Sequence, residues 1–125
     1  MMLSGIDIVH NKRIEKLLRN SSYAVNDIFS KNEIDYCLGK KKSHESFAVR
    51  FAAKESLLKA IGSAILDHDL TKIEVVVEAT GKPFMNIRDG EVTEKIKEIL
   101  DKDEYRISIS LSHDGEYSIA AVIIY

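Results

Sequence analysis

The chain has 125 residues, enough for one domain with a real core, though small enough to gain from assembly. Hydrophobic residues make up 45% and charged residues 30%, and no apolar run approaches membrane-spanning length, so a helical membrane protein is excluded. A net charge of −2 argues against bulk nucleic-acid binding, and the single Cys37 excludes an internal disulfide.

Nothing at the start reads as a secretion signal, and one cysteine fits a reducing compartment, so the expected location is cytoplasmic, with no membrane association. The charge is unevenly spread. Residues 1–60 carry 11 Lys/Arg against 7 Asp/Glu, and residues 61–125 carry 7 against 13. The basic half suits phosphates or an acidic partner.

In chain order, residues 3–9 alternate around Ile6 and Ile8 and predict a strand. Lys12 to Arg19 predicts a helix with Ile14, Leu17 and Leu18 inward and Lys12, Arg13, Lys16 and Arg19 outward. Ser30-Lys31-Asn32-Glu33 has capping-box spacing, with Gly39 as the stop of a short helix and Lys40 to Lys42 as an exposed loop. The longest helix is expected from near Glu45 to about Leu66. Residues 73–78 predict a strand, and Thr80-Gly81-Lys82-Pro83 turns the chain into another at 84–87. Glu91 to Leu100 predicts an amphipathic helix. Tyr105 to Ser112 alternates as a strand with one polar face, and Tyr117 to Tyr125 predicts a last strand, apolar on both faces, which is central or meets another subunit. This mixture predicts an α+β fold in one domain, residues 1–125.

Two acids stand in unusual settings. Asp7 interrupts the apolar run Gly5-Ile6-Asp7-Ile8-Val9, and Glu55 lies within the long helix. A carboxylate in such a place must be neutral, paired or metal-bound. Brought together, the two would make an oxygen site of the kind Mg²⁺ accepts. On a helical wheel Phe47, Phe51, Leu58, Ile61 and Ile65 form the core stripe. Glu55, Lys59 and Gly62 share its edge with Ala48 and Ala52, an arrangement that leaves room for a ligand. Glu55 and Lys59 also have the i,i+4 order of an ordinary surface ion pair. Lys54 falls within the stripe, so its stem either snorkels to solvent or meets a buried anion. His44 and His68 lack ligand spacing and Cys37 has no activating neighbour, so neither zinc nor thiol chemistry is expected.

Three ordered segments carry a resemblance: Gly5-Ile6-Asp7-Ile8-Val9-His10-Asn11-Lys12-Arg13-Ile14, then Arg50-Phe51-Ala52-Ala53-Lys54-Glu55 through Lys59-Ala60-Ile61-Gly62, then Ile109-Ser110-Leu111-Ser112-His113. With Gly81-Lys82-Pro83 between them, the chain resembles the holo-[acyl-carrier-protein] synthases of the 4′-phosphopantetheinyl transferase family. The family often has alanine where Ser56 stands and an acid where His10 stands. The resemblance implies a mostly antiparallel sheet packed against one long helix, a homotrimer with active sites between subunits, and Mg²⁺-dependent transfer of phosphopantetheine from coenzyme A to a serine of apo acyl carrier protein in fatty-acid synthesis. It implies Asp7 and Glu55 as metal ligands and, with Lys59, as catalytic residues. Arg50, Lys54, Gly62, Lys82, Pro83 and His113 are implied around coenzyme A, the Lys40–Lys42 loop near its 3′-phosphate, and Arg13 at the carrier, with Lys16 on the same basic face. Without catalysis, the basic half could instead serve a binding domain for an acidic protein or nucleic acid.

Overall fold

The computed structural model describes residues 1–20 and 22–125. Strand β1 (Leu3–His10) leads into helices α1 (Asn11–Asn20), α2 (Ser22–Ile28), α3 (Lys31–Leu38) and α4 (Ser43–Ala60). Two short 3₁₀ turns precede β2 (Ile73–Val77) and β3 (Pro83–Ile87), and α5 (Gly90–Leu100), β4 (Ile107–Asp114) and β5 (Tyr117–Ile124) complete the order. Two antiparallel sheets form, one ordered β1-β5-β4 and one pairing β2 with β3. The α+β expectation holds, and β5 is the central strand. No helix among the described residues is long and apolar enough to cross a membrane.

Helix α4 is the spine. Eleven of its residues are buried, around most of its circumference, and it packs on β1 and β5. Its small residues are used for this packing: Ala48 and Ala52 are fully buried, so they admit neighbouring elements rather than the ligand their size suggested. The closest approach is at Gly5, where a Cβ would lie 1.9 Å from the Ser56 carbonyl oxygen. The Ser56 hydroxyl, in turn, lies 2.9 Å from the Ala120 carbonyl oxygen of β5 and 2.7 Å from that of Ala52. Serine here adds a tie between helix and sheet that alanine could not make.

The long helix ends earlier than expected, at Ala60 rather than Leu66. Gly62 adopts φ +68, its N–H donates to Lys59 O (3.2 Å), and the Ser63 N–H donates to Leu58 O (2.9 Å). This pair of bonds is a Schellman stop, and glycine takes the left-handed position without a Cβ penalty. Gly62 therefore terminates α4 instead of interrupting it. Ile65 accordingly lies outside the helix.

Helix α3 is held at its start by the expected capping box: Ser30 Oγ accepts from the Glu33 N–H, and Glu33 Oε1 accepts from the Ser30 N–H. Glu33 does more. It is fully buried and accepts from Lys54 Nζ (2.6 Å) and the Val75 N–H (3.1 Å), joining α3, α4 and β2. Lys54 completes its set by donating to Ile28 O (2.7 Å) and Leu70 O (2.8 Å).

Candidate active site

Alternation along β1 decides where Asp7 goes. Ile6 and Ile8 turn outward, 64% and 59% exposed, so Gly5, Asp7 and Val9 face α4. Since Gly5 lets the strand lie against the Ser56 turn, Asp7 comes beside the helix turn that carries Glu55 and Lys59. Lys59 Nζ donates to Asp7 Oδ1 (2.8 Å) and to Ile6 O (3.2 Å). Lys59 thus reaches across to the strand and is not spent on an i,i+4 pair with Glu55. The Asp7 side chain is 12% exposed and Lys59 54% exposed.

The three groups sense one another. Burial, then the Asp7 charge, pushes the Glu55 carboxyl above its ordinary range, while Lys59 and Arg13 pull it down. The hydrogen bond to Asp7 pushes Lys59 up. Asp7 and Glu55, which interact electrostatically, would offer hard oxygen donors of the kind Mg²⁺ takes. No group of three or more His, Cys, Asp or Glu side chains placed to hold a metal occurs among the described residues. A cation at Asp7 and Glu55 would therefore complete its shell with water and phosphate oxygens, as Mg²⁺ commonly does.

A second concavity lies at the other half of α4. A cavity of about 540 Å³ is lined by Arg50, Lys82, Pro83 and His113, together with Tyr36, Glu45 and the β4 segment Ile109 to Leu111. His113 Nδ1 stands 3.8 Å from Glu45 Oε2. Arg50 is buried, donates from Nη1 to Ser46 O (3.0 Å), and sits over the Tyr36 ring at 4.4 Å. Asp7, Glu55 and Lys59 do not line this cavity.

One residue does not go where ligand contact would need it. Lys54 has no exposed surface, and its ammonium is taken by Glu33 and two carbonyls, so it corrects the expectation of a coenzyme A contact. The buried-anion alternative is the one realised, and the anion is protein. Gly62 is exposed at the end of α4 and lines no part of the cavity. On α1, Arg13 and Lys16 are exposed, with the Arg13 guanidinium 5.6 Å from the Phe51 ring, next to the Glu55 region of α4. Tyr36 drew no notice in the sequence. Asp35-Tyr36-Cys37-Leu38 carries no motif, and only contact with Arg50 reveals it.

Known proteins resemble the chain along nearly its whole length. Residues 4–122 match the model of the 4′-phosphopantetheinyl transferase superfamily. A Geobacter sulfurreducens protein named holo-[acyl-carrier-protein] synthase is 36% identical, covering 97% of this chain and 94% of the relative. A solved structure of a holo-(acyl-carrier-protein) synthase from Bacillus anthracis, described as in complex with CoA (3′,5′-ADP), is 31% identical, with TM-score 0.78 over 99% of this chain and 97% of that one. A complex described as Chronobacterium ammoniagenes ACPS with coenzyme A superposes with TM-score 0.84 at 26% identity, covering 99% and 96% of the two chains. A non-catalytic binding domain is thereby set aside, and the chain belongs to the 4′-phosphopantetheinyl transferase superfamily.

Proposed function

We propose that this chain, as a single cytoplasmic domain of residues 1–125, moves the 4′-phosphopantetheine arm of coenzyme A onto a serine of apo acyl carrier protein, releasing adenosine 3′,5′-bisphosphate, in the service of fatty-acid synthesis. The observation that carries the reading is the meeting of Asp7, Glu55 and Lys59 across the β1–α4 contact. Mg²⁺ held by Asp7 and Glu55 would neutralise the coenzyme A diphosphate and polarise the attacked phosphorus. Lys59 is on the same spot and exposed, so its ammonium can swing from Asp7 to a phosphate oxygen as charge develops there. The serine proton is assigned to a water held by Glu55. Phosphoryl transfer asks for this kind of charge placement more than for covalent help from the protein.

Donor and carrier have separate supports. The cavity with Arg50, Lys82, Pro83 and His113 is the donor's place. The exposed Arg13 and Lys16 on α1 face an acidic carrier, whose encounter would be steered by charge and slowed by salt. Because the donor cavity and the Asp7 cluster are distinct in one chain, a homotrimer in which one copy's cavity meets its neighbour's Asp7 would complete the site. Supporting assembly, the outer face of the β1-β5-β4 sheet exposes Ile6, Ile8, Ile119 and Ile123.

Incubation with coenzyme A, Mg²⁺ and apo carrier protein, followed by intact-mass analysis of the carrier, tests the reaction. One phosphopantetheine added per carrier is expected; an unmodified carrier with folded protein rejects it. Asp7→Asn and Glu55→Gln should each abolish transfer while leaving the circular dichroism spectrum unchanged.

A further inference from the structure

Among the described residues two buried side-chain atoms lack a hydrogen-bond partner: Arg50 Nε, at the donor cavity, and His68 Nδ1. His68 lies away from both sites described above. It stands between the two 3₁₀ turns that lead from α4 to β2, and its side chain is 7% exposed. With Asp89 it borders an open cavity of about 740 Å³ that shares no residue with the donor cavity and is not lined by Asp7, Glu55 or Lys59.

What faces His68 is a carboxylate already fixed in place. Asp89 caps α5, its Oδ1 accepting from the Glu91 N–H (3.0 Å) and the Val92 N–H (3.2 Å). That leaves Oδ2, which stands 3.7 Å from His68 Nδ1. At this separation a proton on either atom is too far from the other for a hydrogen bond. Two donors on one tetrahedral ion, each about 2.0–2.2 Å from it, are about 3.3–3.6 Å apart, so the pair would have to close only slightly to share one. The surroundings are anionic as well. Asp67, Asp69, Glu91 and Glu94 also border the cavity, against one base, Lys72, and Glu94 alone among them is drawn off, by Lys97 at 3.6 Å. A hydrogen bond from the Thr71 hydroxyl, joined by one from its N–H, holds the Asp69 carboxyl below the ordinary carboxylate range, so it stays charged at neutral pH.

We propose that His68 Nδ1 and Asp89 Oδ2 bind a zinc-class divalent ion, with water filling the rest of its shell in the acidic cavity. An imidazole nitrogen beside a carboxylate oxygen suits Zn²⁺ and its first-row neighbours, whereas Mg²⁺ takes oxygen donors. No three His, Cys, Asp or Glu side chains among the described residues surround one ion, so the protein supplies two ligands and the ion is exchangeable. Its role is structural: it ties the turn after α4 to the first turn of α5 and takes no part in transfer. The spacing of the two residues along the chain gives no hint of this, because β2 and β3 lie between them.

The test is calorimetric titration of Zn²⁺ into the whole protein, in excess Mg²⁺ so that the Asp7–Glu55 pair is occupied. The parent should bind one ion per chain. His68→Gln and Asp89→Asn should each weaken binding at least about tenfold, while Glu55→Gln should bind as the parent does. Asparagine is itself a good N-cap, so Asp89→Asn removes the ligand charge and keeps α5 capped; it decides the matter if His68→Gln does not fold, which melting without metal checks. Zn²⁺ should also raise the melting temperature of the parent and leave those of His68→Gln and Asp89→Asn where they were. A parent that binds no Zn²⁺, binding unchanged in folded His68→Gln or in Asp89→Asn, or binding lost in Glu55→Gln overturns the inference; the last would put the ion at the acids of β1 and α4.

Discussion

Gly5 lies so close to Ser56 that any side chain at residue 5 would enter the helix backbone: an added Cβ would be 1.9 Å from the Ser56 carbonyl oxygen and 3.1 Å from the Ala60 nitrogen. This contact sets the distance between β1 and α4, and with it the meeting of Asp7, Glu55 and Lys59 two residues along the strand. Gly5→Ala should cost about 1–3 kcal/mol in denaturant unfolding, as overpacking does, at the upper end because both obstacles are main chain. It should also reduce transfer more than stability alone explains, because Asp7 is carried away from Glu55. A variant with parental stability and rate would show that the strand yields without moving the site.

Glu55 should make the protein less stable as pH rises. Its folded-state carboxyl is raised above the ordinary 4.5, by burial first and the Asp7 charge second. The folded chain then binds this proton at pH values where the unfolded chain has lost it, so stability falls as pH climbs from the ordinary value through the raised one. Glu55→Gln should therefore melt higher than the parent at neutral pH, and the difference should vanish below the ordinary carboxylate value. Added Mg²⁺ should raise the parent melting temperature by mass action and affect Glu55→Gln less. Equal melting of the two proteins at neutral pH would contradict the assignment.

Lys54→Met should damage the core. Removing the ammonium leaves Glu33 buried without its counter-ion, a change that costs about 3–5 kcal/mol. Lys54→Met combined with Glu33→Gln should recover part of that loss, because the uncompensated charge is gone. Chemical denaturation of the single and double variants checks this. A Lys54→Met protein of parental stability with weakened coenzyme A binding would restore the ligand role that the geometry denies it.

How much of this was legible in the sequence depended on whether the signal was local. The Ser30–Glu33 capping box, the α5 amphipathic pattern and the alternation of β4 are local, and each emerged within a residue or two of expectation. Helix α2 had no clear apolar period and was not anticipated. The end of α4 was missed because apolar residues continue to Leu66, while a Schellman stop depends on one glycine taking φ +68. Lys54 was placed correctly within the apolar stripe, but periodicity does not name what lies opposite. Glu33 looked fully explained as a cap, which hid its second role as that partner. Asp7 and Glu55 stand out by their surroundings, but their proximity depends on Gly5, and only packing shows why that residue must be small.

Assembly supplies the last prediction. Ile123 sits on the outer face of β5, opposite Ser4 of β1 and Ser108 of β4, and is exposed in the single chain. If that face joins copies, Ile123→Glu should yield a smaller particle by light scattering with an unchanged circular dichroism spectrum, and transfer should fall although Asp7, Glu55 and Arg50 are untouched. A parent that is itself a stable monomer, or a variant of unaltered mass, would reject the homotrimer. Complementation then separates a shared site from a private one. When Asp7→Asn and Arg50→Ala chains are co-expressed, a site built from one copy's Asp7 and its neighbour's Arg50 is intact at about a quarter of random junctions, whereas a site within one chain is never intact. Recovered transfer from two inactive proteins would place the donor cavity of one copy against the acids of the next; no recovery, in mixed assemblies verified by mass, would put both halves of the chemistry back in a single chain.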